Sequence, residues 1–169
     1  MAQYLIANGP MQTTAAFAKV TTSAVIKTML QFKPTSPCTI KSWGVSYDGS
    51  AAATPGQVEL IDTGTVAATV TASVNADITQ WDAAAIAVGN PSTANLMSFG
   101  TAATGYTATV EGSITAVRNF DLQLLPPTGP YVLQWPLGVS PYLVPNNLVR
   151  IRMTFGAAIN AYCWLLVEF

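Results

Sequence analysis

The sequence predicts an all-β protein, built from eight or nine short strands that form either a sandwich or a closed barrel. Apolar and polar residues alternate in short runs, which is the side-chain period of a half-buried strand. Glycine and proline separate these runs at regular intervals, and no segment has a convincing helical period. Short strands joined by tight turns are typical of two packed sheets or of one closed sheet.

Residues 1–23 show no clear period and indicate an extended arm or a first strand; we predict an N-terminal arm here, followed by one sandwich domain over residues 24–169. A short apolar patch at Tyr4, Leu5 and Ile6 precedes an Asn-Gly-Pro turn signal. An arm of this kind orders on contact and adds buried area at an entropic cost. We therefore expect the arm to contact another chain.

The first half of the domain contains four predicted strands. Alternation is clear over residues 26–33, where Pro34 ends the run, and again over residues 40–47, where an Asp-Gly pair closes it. Two β-rich runs at 57–62 and 65–73 are separated by a Thr-Gly pair, which predicts a hairpin.

The second half of the domain contains five further β-like runs. They cover residues 106–117, 120–124, 131–135, 148–155 and 161–169. We expect Val110 and Ile114 of the first run to face the core. The last run has large side chains on both faces, so it is predicted to lie in the interior of a sheet.

The chain has unusually few charges for a globular protein. Its 169 residues include 7 basic and 8 acidic ones, half of the residues are hydrophobic, and the mean hydropathy is +0.37. No run approaches the ~18 apolar residues needed to span a bilayer, so no membrane partner is expected. This composition favours a surface covered by neighbours in an oligomer or larger assembly. The alternative is a surface rich in Thr, Ser and Ala that stays soluble through hydroxyl and amide groups.

The sequence contains no histidine, which removes several classes of chemistry. Ser-His-Asp and Cys-His arrangements cannot form, and no acidic residue lies in a catalytic motif. We expect neither enzymatic activity nor a metal or other cofactor. The net charge of −1 gives no basic face for nucleic acid, and the four lysines between residues 19 and 41 are interpreted as solvated strand flanks.

Aromatic residues beside loops are candidate partner contacts. Trp81, Tyr131 and Trp135 adjoin loops, whereas Trp43 and Trp164 lie in clear strands and are predicted to be core. Together with the arm residues Tyr4, Leu5, Ile6 and Phe17, these aromatic side chains form the predicted contact set.

Two arginines complete the set of candidate contacts. Arg150 and Arg152 are two residues apart on one strand, so their side chains point to the same face. They could bind a carboxylate, with Glu59, Glu111 or Glu168 as partners. The partner carboxylate lies either on a neighbouring strand of the same chain or on another subunit.

The two cysteines, Cys38 and Cys163, are predicted to be buried reduced thiols, although a disulfide between them remains possible. The N-terminus lacks the basic, apolar and small-residue regions of a secretory signal. We therefore expect the protein to be made and used from the cytoplasm.

Four segments resemble a family of small virion structural proteins of tailed actinobacterial phages. They read YLIANGPMQ, WGVSYDGSAAATPGQVEL, TGYTATVEGSITAVRNFDLQL and VRIRMTFGAAINAYCWLLVEF. The resemblance implies a jelly-roll-like β-sandwich that decorates the capsid as a cement protein. It carries no defined functional residues.

The resemblance also implies partners and a location. A cement protein binds the outer surface of the major capsid protein lattice, often as a homotrimer on a local symmetry axis. The expected location is the virion surface, after assembly in the host cytoplasm. The alternatives are a tail or head-fibre subunit, and a carbohydrate-binding sandwich that recognises a host glycan through Trp81, Trp135 or Tyr131.

Overall fold

The computed structural model describes residues 2–10, 19–50, 53–81 and 93–169, and these form two antiparallel sheets packed face to face. The prediction of an all-β sandwich is confirmed. Helical structure in these residues is limited to a 3₁₀ turn at Asn75–Asp77 and one turn, α1, at Thr93–Leu96. Within the same residues, no helix is long and apolar enough to cross a membrane.

The first sheet has its longest strands at its centre. In spatial order its strands are β10 (Tyr131–Gln134), β4 (Cys38–Tyr47), β13 (Asn160–Glu168), β1 (Gln3–Ala7) and β7 (Thr79–Gln80). Two short strands extend it, since β11 (Tyr142–Leu143) pairs with β4 and β2 (Val20–Thr21) pairs with β13. The C-terminal strand β13 is therefore interior to the sheet, as predicted.

The second sheet contains six strands. In spatial order they are β6 (Thr69–Ala72), β8 (Gly105–Val110), β3 (Lys27–Phe32), β12 (Val149–Thr154), β5 (Gly56–Asp62) and β9 (Arg118–Leu125). A five-residue connection, 126–130, joins β9 of this sheet to β10 of the first. The edge strands β9 and β10 consequently lie on the same side of the sandwich.

The core lies between the sheets and takes alternate residues from each strand. In β12, Val149, Ile151 and Met153 face the core and are buried, as their alternation predicts. Trp43 and Leu165 are paired across β4 and β13 and are completely buried in the opposing layer. This alternation fixes which side chains remain on the outer faces.

Both cysteines are buried and unbonded, which confirms the prediction of reduced thiols. Burial raises the pKa of Cys38 to about 12. It also raises the pKa of Cys163 well above the usual thiol range. A buried thiolate would lose its hydration, so both side chains remain neutral and act as small apolar core groups.

The prediction of an N-terminal arm over 1–23 is wrong for β1, which is an integral strand of the first sheet. It pairs along all five residues with β13 and also with β7. Tyr4 and Ile6 point inward and are buried, so neither is available for the partner contact expected of it. Phe17, the fourth candidate of the arm, lies outside the described residues.

The long run predicted over 106–117 is a shorter strand, because β8 ends at Val110. Val110 is exposed rather than core-facing, and Ile114 lies beyond the strand and is half-buried. Gly112 has a φ of +72°, which glycine adopts without strain and which turns the chain away from the sheet. The carboxylate of Glu111 turns back over the sheet and accepts a 2.6 Å bond from the Thr28 hydroxyl.

Candidate interaction surface

Trp81 is the predicted contact residue that is most clearly exposed. Its side chain is 59% accessible, directly after the edge strand β7. Its backbone N–H donates to the carbonyl of Gln3 at 2.8 Å, so the sheet holds this position in place. Leu5, the remaining candidate contact in β1, is half-buried on the outer face of the first sheet, opposite Leu166.

Tyr131 and Trp135 belong mainly to the seam between the sheets. The Tyr131 ring meets Trp43 edge to face at a centroid distance of 5.5 Å, and its hydroxyl donates to Asp121 Oδ2 at 2.7 Å. Burial, with a contribution from the Asp121 hydrogen bond, raises the pKa of Tyr131 to about 12. Trp135 is half-buried against the core. Both residues therefore use most of their surface within the chain.

The arginine pair binds carboxylates on the same chain rather than on another subunit. Arg152 pairs with Glu59 of the neighbouring strand β5, and Arg150 Nη1 lies 3.5 Å from Glu111 Oε2. The third candidate carboxylate, Glu168, pairs with Lys41. The Arg150 side chain is completely buried, so its assignment as a partner contact is wrong.

Arg150 instead holds a backbone segment across the outer face of the second sheet. Its guanidinium donates to the carbonyl of Glu111 at 2.8 Å and to the carbonyl of Val66. Gln31, directly opposite Arg150 in β3, accepts from the Ala68 amide at 2.8 Å and donates to the Ala103 carbonyl at 2.7 Å. These bonds cover the middle of this face with the chain itself.

Exposed apolar side chains concentrate in one part of the molecule. Among the residues that the structure describes, eight of the thirteen large apolar side chains that are exposed fall between residues 117 and 144. We name them the edge surface: Val117, Leu122, Leu124, Val132, Leu137, Val139, Tyr142 and Val144. Concentrations of exposed apolar groups on this scale mark interaction sites more often than chance exposure does.

The topology explains why these residues lie together. Strand β9 ends the second sheet, and β10 and β11 lie along the same edge of β4 in the first. Arg118 Nη2 donates to the carbonyl of Tyr142 at 2.8 Å and so links β9 to β11. The edge surface therefore runs along one side of the sandwich and includes both sheets.

Two charged residues lie beside the edge surface, and both are hydrogen-bonded within the chain. The only charged residues between 117 and 144 are Arg118 and Asp121. Arg118 Nη2 lies 3.0 Å from Asp62 Oδ2, and Asp121 accepts bonds from Tyr131 and Gln123. Because both charged groups are already hydrogen-bonded within the chain, covering this surface leaves neither without a partner, which is the costly case in burying charged groups.

A β-bulge explains why the sequence pattern did not reveal Leu122 and Leu124. Residues 120, 122 and 124 alternate with polar residues and look like one buried face. Asp121 pairs with Leu60 and Asn119 with Ile61, so Phe120 is an extra residue in β9. The bulge lets Phe120 pack on the core while the two leucines face outward. The sequence of β9 carries no signal of this bulge, because the bulge depends on the pairing with β5.

A cavity of about 420 Å³ lies at one end of the sandwich, near Asp48 and Asn160. Asp48 accepts bonds from Lys19 Nζ and from the backbone and side-chain amides of Asn160. The Lys19 hydrogen bond, followed by the Asn160 side chain, lowers the Asp48 pKa. Lys19, Asp48 and Asn160 beside this cavity are thus already bonded to one another. Among the described residues, no group of three His, Cys, Asp or Glu side chains could hold a metal ion.

The chain matches no family model, no curated protein and no solved structure.

Proposed function

We propose that this protein is a capsid decoration, or cement, protein of a tailed phage, which binds the outside of the major capsid protein lattice as a homo-oligomer. The observation that carries the proposal is the uncharged edge surface, whose apolar side chains are exposed in the isolated chain. The four segments that resemble virion structural proteins support the assignment to a phage.

A decoration protein can reinforce a shell because many copies of it bind the same lattice. Burying apolar surface contributes about 25 cal/mol per Å² before the costs of association are subtracted. One contact through a few side chains is weak, but copies that bind a lattice together are reinforced by avidity. Such a protein needs a rigid frame that presents apolar groups, and a sandwich with an internal N-terminal strand supplies one.

The loop between β10 and β11 is the part of the edge surface best placed for shell contact. Leu137 is 98% exposed and Val139 is also exposed. The double variant Leu137→Lys/Val139→Lys should therefore bind shells more weakly. Val25→Lys is the matched control, because Val25 is exposed outside the edge surface.

The experiment adds purified protein to phage shells that lack it and measures co-sedimentation. Saturable binding by the wild type and the Val25 variant, with a loss of at least about tenfold in the double variant, is the expected result. Equal binding by all three proteins would remove the edge surface from the proposal. Binding to tails instead of shells would favour the tail or head-fibre alternative.

The exposed Trp81 ring favours a second candidate, a sandwich that binds a host glycan. An exposed indole can stack on a sugar ring, and Trp81 lies at the opposite side of the sandwich from the edge surface. Labelling of host cell-wall polysaccharide that Trp81→Ala abolishes, without any shell binding, would replace the decoration function with this one.

A further inference from the structure

We propose that β9 pairs with β9 of a second copy of this chain, across a twofold axis, so that the second sheets of two molecules join. This goes beyond the proposed function, since it concerns how copies associate with one another. The pairing is an antiparallel strand addition, in which backbone groups at a sheet edge bond to the same edge of a partner.

Of the four strands that end the two sheets, β9 is the best suited to accept another strand. The edge strand β7 has two residues, β10 has four, and β6 has four with two register irregularities. Strand β9 has eight residues and contains neither proline nor lysine, and beyond its bulge at Phe120 it is regular over the five residues from Asp121 to Leu125. Natural edge strands are usually shortened, charged or bulged, because a long uncharged edge is a template for pairing. In β9 the bulge and Arg118 precede the regular five-residue segment, whose one charged residue, Asp121, is bonded to Tyr131.

The charges on β9 do not oppose self-pairing. The Asp121 side chain faces the seam and is bonded to Tyr131, while Arg118 is bonded to Asp62. Leu122 and Leu124, opposite Glu59 and Gln57 in β5, are 54% and 76% exposed on the outer face. The edge thus presents two leucines where most edges present charges.

The sequence of β9 selects one register. Directly opposed residues in an antiparallel pair lie on the same face of the sheet. A twofold axis at Gln123 places Leu122 of each copy opposite Leu124 of the other and gathers four leucines in one cluster. The same register sets Asp121 opposite Leu125, so no like charges face each other. Shifting the strands by two residues keeps one leucine pair and places the other two leucines opposite Phe120 or opposite Pro126.

The oligomeric state of purified full-length protein tests the pairing. Sedimentation of the wild type should show a dimer, and Leu124→Lys should weaken association by at least about 30-fold. Val110→Lys is the matched control on the other side of the second sheet, where Val110 is likewise exposed, and it should leave the dimer intact. Circular dichroism verifies that each variant is folded.

Disulfide trapping tests the register independently of stability. Leu122→Cys and Leu124→Cys should form a mixed disulfide efficiently when combined and poorly when each is oxidised alone. The native cysteines are buried and do not interfere in the folded protein. A monomeric wild type, a dimer that survives Leu124→Lys, or trapping without preference for the mixed pair would overturn the proposal. Shell binding is measured separately, so either proposal can fail without the other.

Discussion

At the scale of single residues, Arg150 shows how a charge is used for structure rather than for recognition. Its guanidinium is completely buried on the outer side of the second sheet and donates to the carbonyls of Glu111 and Val66. Burial lowers its pKa, and the negative charge of Glu111 opposes that shift. The residue therefore fixes the segments after β5 and β8, which close over the sheet.

Replacing Arg150 with alanine is expected to destabilise the fold strongly. Removing one member of a buried charged pair leaves the remaining polar groups without partners, which costs about 3 kcal/mol or more. Lys19→Ala serves as the control, because the Lys19–Asp48 pair is exposed and such pairs contribute about 0–1 kcal/mol. Urea unfolding measures both variants, and an equal small loss in the two would contradict the structural role of Arg150.

The two thiols predict a loss of stability at alkaline pH. The folded-state pKa of Cys38 is about 12, above the ordinary value of 9.0. A raised pKa stabilises the folded protein fully below pH 9.0, and this contribution is lost as the pH rises toward 12. The free energy of unfolding should therefore fall between about pH 9 and about pH 12, and Cys38→Ala should reduce that fall.

Thiol titration provides the corresponding chemical measurement. Both cysteines should be unreactive in the native protein near neutral pH, since each is buried and protonated. Denaturation should release two reactive thiols. Rapid modification of the native protein would show that these positions are accessible, which their burial does not allow.

At the scale of elements, the sequence predicted the strands whose alternation is long and unbroken. Strand β12 alternates over six residues, which indicated a strand with one buried face. Strand β13 has large side chains on both faces, which indicated a place in the interior of a sheet. For β1 the sequence left an arm and a first strand both open, because five residues next to a turn signal give too short a pattern to decide. The outward leucines of β9 were hidden by a bulge, which depends on the pairing with β5 and leaves no mark in the sequence of β9.

The internal position of β1 predicts that its two faces tolerate substitution differently. Ile6→Ala should lower the free energy of unfolding by about 2–5 kcal/mol, because it removes buried methyl groups and leaves a cavity in the core. Leu5→Ala, on the half-buried outer face, should cost clearly less. Chemical denaturation of both variants is the measurement, and equal effects would mean that the strand is not held in the sheet as described.

At the scale of the whole molecule, most of the few charged side chains form ion pairs within the chain. Five ion pairs among the described residues use Lys19, Lys41 and the arginines 118, 150 and 152. Little charge remains to steer the protein toward a partner or to repel a second copy. What the edge surface offers a partner is apolar contact and backbone hydrogen bonds, and both are insensitive to ionic strength over the range in which surface charges are screened.

This distribution predicts that shell binding depends only weakly on salt. Exposed charges are screened over about 10 Å at 0.1 M salt and over about 3 Å at 1 M, so an interface built on surface ion pairs would weaken steeply across that range. Apolar burial is unaffected or slightly strengthened by the same change. Binding of purified protein to shells, measured by co-sedimentation at both salt concentrations, should therefore change by less than about threefold.

The Leu137→Lys/Val139→Lys variant should bind poorly at each concentration, which separates contact through the edge surface from nonspecific adsorption. A loss of binding of tenfold or more on adding salt would mean that charged groups dominate the contact, and the edge surface would then not be the face that meets the shell.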